Sequence, residues 1–269
     1  MLFRSPDIRP MGTPVSGETL LRLALVPAAV WVASLAARRW GHAVSGYLGG
    51  LPLIGGPITF YLAIDHGTEF AARSAMFTLA AIIGQSAHLL AFAHSARWGS
   101  WPLSLAAGWG AFAVASIAAA QLPLTPAIGL ALAIAGLGCA WLALPRARGA
   151  ATLPLIPAAE LWLRLVAAFV LAIVIVWSAE AFGPVVSGVL LSVPVTGSIM
   201  PPFTLALHGR EALARLMRGF VIGLTGFTAF FFTLAAALSS WGIGAAFMAA
   251  IAAAVAAVFT ARHLASGRW

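Results

Sequence analysis

Gln85 and His88 stand three residues apart inside a long apolar run and so share one face of a helix. They are the only strongly polar pair set that deep in the chain. Histidine titrates near neutrality, and an ionisable group inside a membrane span is a candidate for coupling protons to a solute. The competing reading is a packed histidine bonded to a backbone carbonyl. A second group with chemical potential is written twice, once in "VSGYLGGLPLIGGPITFYLAIDHGTEFAAR" (Val44–Arg73) and again in "VSGVLLSVPVTGSIMPPFTLALHGREALAR" (Val186–Arg215). Each copy carries a proline, Pro52 or Pro194, in the middle of an apolar stretch. Proline has no N–H and crowds the carbonyl four residues back, so Pro52 is expected to free Leu48 O and Pro194 to free Leu190 O. In hydrocarbon such carbonyls need a hydroxyl, water, ion or solute. Gly55, Thr59, Ser192, Thr196, Gly197 and Ser198 lie beside them and complete a candidate solute-binding set. The same glycines and prolines also serve as kinks and close-packing positions, Gly46-x-x-x-Gly50 among them.

Each copy then ends in His-Gly-x-Glu-x-x-x-Arg, with His66, Glu69 and Arg73 in one and His208, Glu211 and Arg215 in the other. Glycine suits a helix C-terminus, glutamate suits the next helix N-terminus, and Glu to Arg at i,i+4 is the favourable order. Helix capping explains the pattern; a gating network is the alternative use of the same four charges.

The elements that must position these residues follow from composition. Of 269 residues 62% are hydrophobic and 8% charged, and mean hydropathy is +1.00. Soluble domains have about 25% charged residues, so this is an all-α polytopic membrane protein. Alternating strands, which a barrel needs, are absent from the pattern. The net charge of +8 comes from fifteen arginines scattered between apolar runs, with no lysine, which suits membrane-flanking anchors and not nucleic acid. The single Cys139 allows no intrachain disulfide. No HExxH, paired carboxylate or Lys-bearing phosphate loop occurs, so neither enzyme chemistry, a cofactor nor a metal is expected.

Breaks at Gly, Pro and Arg divide the chain into nine expected spans, near 20–38, 43–64, 69–94, 101–120, 125–143, 159–179, 185–207, 211–237 and 242–262. The first reads as a retained span, not a signal peptide. Laying the chain on itself with Pro194 over Pro52 also puts Glu160 on Glu18, Val186 on Val44, Gly197 on Gly55, His208 on His66 and Arg215 on Arg73, without a gap. Gln85 and His88 fall opposite Phe227 and Phe230. The expected organisation is an N-terminal tail (1–17), a four-helix repeat (18–120), a linking helix and loop (121–158) and a second four-helix repeat (159–264). Five spans per period turn the second copy upside down. With nine spans eleven arginines gather on one face and four on the other, which puts the N-terminus outside and the C-terminus inside.

The stretch Val44–Arg73, with its mid-span proline and following Gly-x-Glu, resembles the GlpM-like family of small bacterial inner-membrane proteins. Those have four spans, so the chain resembles two such units fused through a linking span. The resemblance implies a bacterial inner-membrane location and a link to envelope polysaccharide production, and carries no catalytic residues with it.

Paired helix interruptions in inverted repeats point to a transporter or facilitator of a small solute, with a central site between spans two and seven. The alternatives are a non-catalytic accessory subunit, for instance of envelope polysaccharide export, and a lipid scramblase or flippase. The expected partners are membrane lipids and a small solute, with a homodimer as an option and no nucleic acid.

Overall fold

The computed structural model describes residues 43–44, 46–98, 100–147 and 158–265. The expected first span near 20–38, with Glu18 and Arg22, lies outside the described residues. The helices are α1 (Gly55–Asp65), α2 (Thr68–Ala80), α3 (Ile82–Ser95), α4 (Trp101–Ala120), α5 (Pro126–Ala143), α6 (Ala158–Leu191) and α7 (Val195–Ala265). No strand occurs among the described residues. Among the described residues six helical stretches are long and apolar enough to cross a membrane: Thr68–Trp98, Trp101–Ala120, Pro126–Ala143, Ala158–Ile175, Ala181–Trp241 and Ile243–Ala265. The chain is a multi-pass helical membrane protein.

Local sequence accounts for the boundaries. Thr125 caps α5 by accepting Ile128 N–H at 3.2 Å, and Pro126 takes the first turn, where its missing N–H costs nothing. Gly67 and Gly209 hold φ of +90° and +76°, a region that side chains with a Cβ rarely enter, and so interrupt the helical path just after His66 and His208. Gly183 and Gly242 interrupt α6 and α7 in the same way.

Polarity runs opposite to that of a soluble protein. Val114, Ile134 and Leu142 face outward with 60–79% of their surface exposed, whereas Ser74, Thr78, Ser86, His88, Ser104 and Ser116 are buried. Lipid is as apolar as leucine, so helix association rests on small residues, close contact and internal hydrogen bonds. Several of these hydroxyls bond the carbonyl four residues back, as in Thr78 to Ser74 O (2.8 Å) and Ser86 to Ile82 O (3.0 Å).

Glycines bring backbones together. A Cβ on Gly46 would collide with Leu216 O, and one on Gly188 with Ser74 O. Gly50 meets Gly223, then Gly55 and Gly56 meet Phe231 and Phe230. Residues 46–56 therefore run in the same direction as 216–231. Likewise 188–197 runs with 74–88: Gly188 lies on Ser74, Gln85 bonds Ser192 and His88 bonds Gly197. Each Gly/Pro segment thus lies along the long helix of the other half of the chain.

Candidate functional site

Both Gly/Pro segments are broken helices. Helix stops at Gly49, resumes at Gly55, stops again at Leu191 and resumes at Val195. The two gaps are closed by one hydrogen-bond pattern. Leu51 N–H reaches Leu48 O (3.3 Å), Leu53 N–H reaches Leu51 O (2.8 Å) and Gly56 N–H reaches Pro52 O (2.8 Å). In the second Gly/Pro segment Val193 reaches Leu190 O (3.1 Å), Val195 reaches Val193 O (2.8 Å) and Ser198 reaches Pro194 O (2.7 Å).

This corrects one expectation. Leu48 O and Leu190 O are denied their i+4 partners by the prolines, yet they are not open ligands, because the chain tightens and supplies the i+3 N–H instead. What each break leaves open is a pair of donors. Ile54 and Gly55 in one, and Thr196 and Gly197 in the other, have backbone N–H groups with no backbone acceptor among the described residues. These sit at the starts of the resumed helices, where orphan N–H groups are expected.

The breaks face a common cavity of about 70 Å³. That is more than a single water needs and leaves room for a small solute. Of the expected site residues Leu48, Gly55, Pro194, Thr196 and Gly197 line it, together with Gln85. Pro52, Thr59, Leu190, Ser192 and Ser198 stand behind the wall; Thr59 and Ser198 spend their hydroxyls on Gly55 O and Pro194 O (both 2.7 Å). Met200, Phe220, Leu224 and Phe227 complete an apolar side that sequence reasoning did not assign. A signal existed: Phe220, Leu224 and Phe227 share one helix face with i,i+4,i+7 spacing, and Phe227 is the counterpart of Gln85.

Gln85 Nε2 donates to Ser192 O at 2.6 Å, and Thr78 Oγ1 donates to Gly188 O at 2.9 Å. His88 is fully buried with Nε2 3.2 Å from Gly197 O. A carbonyl only accepts, so Nε2 is the donor in this bond, while Nδ1 lies against the backbone of Gly108. Gly108 makes room for the ring, since a Cβ there would lie 2.8 Å from Nδ1. His88 stands one layer behind the cavity. At the corresponding places on α7 stand Phe220, Phe227 and Phe230, so the second break is tethered by three side-chain hydrogen bonds while the first rests on aromatic rings.

The four residues of the alternative gating reading lie elsewhere. Glu69, Arg73 and Glu211 are exposed and Arg215 is half-buried, close after the Gly67 and Gly209 interruptions. Arg218, read from sequence only as a flanking cation, is buried. Its guanidinium donates to Leu144 O (3.2 Å) and Trp141 O (3.5 Å) and lies 4.3 Å from the centre of the Trp141 ring. It caps the carbonyl end of α5 and ties that helix to α7.

Fold and site define a helical multi-pass membrane protein with a small, mostly apolar cavity between two broken helices. No family model, curated protein or solved structure matches the chain.

Proposed function

We propose that the chain is a transporter or facilitator for a small solute in the bacterial inner membrane, and that the cavity between the breaks is its binding site. One observation carries this reading: two helix interruptions with the same hydrogen-bond pattern, at matching positions of the two sequence copies, both line one cavity. Discontinuous helices meeting near the midplane are how secondary transporters expose backbone groups to a solute without exposing them to lipid.

The architecture that goes with it is nine spans in two inverted repeats, with the N-terminus outside. The stretch Ala181–Trp241, helical apart from the break at 192–194, is 61 residues long, about three times what a 30 Å core needs, and Gly209 interrupts it again, which supports two crossings there. The exchange of long helices supports the repeat: Gly46 against Leu216 and Gly188 against Ser74 are the same contact, made once by each copy upon the other. Alternating access would then be a rocking of one half against the other, with the aromatic-backed first break free to slide and the tethered second break held.

The accessory-subunit reading draws on the tight seams at Gly46, Gly50 and Gly188, which stabilise packing with or without a solute. The size and apolar lining of the cavity weigh against lipid scrambling, which needs a polar groove for a headgroup. Uptake of a mixed-solute panel into proteoliposomes tests the proposal: flux above that of empty vesicles is expected, and background flux for every solute leaves the accessory reading.

A further inference from the structure

Resting on the transport reading, we propose that the cavity selects a small uncharged solute carrying both an acceptor oxygen and a hydrogen-bond donor, with Gln85 the residue that reads the donor. Among the described residues no Asp, Glu, Arg or His side chain lines the cavity. An ion placed there would lose its hydration with no opposite charge to meet it, which disfavours charged solutes strongly. A purely apolar solute is disfavoured for the opposite reason, because polar groups in the wall would lose their water and gain no partner.

Those polar groups specify the complement. Gln85 is only 8% exposed, and its nitrogen is committed to Ser192 O. Because that carbonyl cannot donate, the carboxamide cannot be turned over, and Oε1 is left as an acceptor with no partner among the described residues. A solute N–H or O–H satisfies it. From the two breaks the backbone N–H groups of Ile54, Gly55, Thr196 and Gly197 supply donors for a solute oxygen. At about 70 Å³ the space suits a small solute. Small amides and ureas have this size and this pairing of groups.

Urea, guanidinium and nitrate test the class, since all three are planar, Y-shaped and have four heavy atoms while differing in charge. Fluxes are read by stopped-flow light scattering of proteoliposomes against empty vesicles. The expected result is urea flux about tenfold or more above empty vesicles, with guanidinium and nitrate at background. Faster guanidinium or nitrate overturns the uncharged class while keeping transport, and nitrate in particular would mean that the backbone N–H groups bind an anion. Background flux for all three overturns the proposal, and the mixed-solute panel then judges transport separately. Gln85→Leu should lower urea flux about tenfold, the effect of one lost hydrogen bond; unchanged flux removes Gln85 from the role. Gln85→Leu also unties Ser192, so Leu48→Phe, which fills the cavity and leaves that bond intact, serves as the second variant. It should abolish urea flux in a monodisperse, helical protein, and wild-type flux would sink the site.

Discussion

His88 Nε2 meets Gly197 O at 3.2 Å, and that carbonyl belongs to the residue four before Pro201, which has no N–H to give it. A proline in one half of the chain creates an acceptor, and a histidine in the other half fills it. Removing the donor leaves a buried carbonyl short of a partner, so His88→Phe should cost about 1–3 kcal/mol. In a Pro201→Ala background the restored N–H can take over, and the cost of His88→Phe should fall by about 1 kcal/mol or more. Thermal unfolding of the four proteins in detergent measures this coupling, and equal costs in both backgrounds would refute the compensation. His88→Gln keeps a donor and should leave the pH dependence of transport unchanged; its loss would restore a proton-coupling role.

Glycine seams give a paired test. Gly46→Ala and Gly188→Ala each drive a methyl into a carbonyl of the opposite long helix and should destabilise by about 1–3 kcal/mol each. Gly110, Gly138 and Gly244 have nothing within 4 Å of a built Cβ, so alanine there should be neutral or stabilising by up to about 1 kcal/mol. A flat response across all five in detergent melts would mean that the seams do not hold the fold together.

The prolines separate binding from packing. Pro52→Ala or Pro194→Ala restores an N–H that competes for Leu48 O or Leu190 O, now held by Leu51 and Val193. Closing either break into regular helix withdraws the open donors beside it. Both variants should stay folded, alanine being the better helix former by about 3 kcal/mol in a soluble helix interior, and both should lose transport because the halves share one cavity. Two variants that fold and transport like wild type would reduce the breaks to a packing device.

Topology follows from arginine placement. In a Cys139→Ser background, single cysteines at Ser5 and Ser266 should react with an impermeant thiol reagent from opposite sides of the membrane. Reaction from the same side would defeat the odd span count and with it the inversion.

Much of this was legible in the chain. Composition points to a membrane protein, because an 8% charged sequence cannot cover a soluble surface, and the lack of strand alternation makes it helical. The places where helices stop are local chemistry: Pro52 and Pro194 remove a donor, Gly67 and Gly209 adopt positive φ, and Thr125 caps α5. The recurrence of Val44–Arg73 as Val186–Arg215 was visible too, since Pro, Gly, His and Glu in register stand out against Ala and Leu. Tertiary structure decided the partners. Leu48 O could be named as deprived, but only the fold shows Leu51 N–H closing on it. Gln85 and His88 could be placed on one helix face, while their assignment to Ser192 O inside the cavity wall and to Gly197 O behind it depends on helices from opposite halves of the chain. Arg218 looked like any flanking cation until α5 ended beneath it. The division has a physical cause. Helix ends and hydrophobicity are set by residues within a few positions of each other. A polar group in an apolar interior instead takes whichever partner the packing of distant helices brings within about 3 Å, and no spacing along the chain records that.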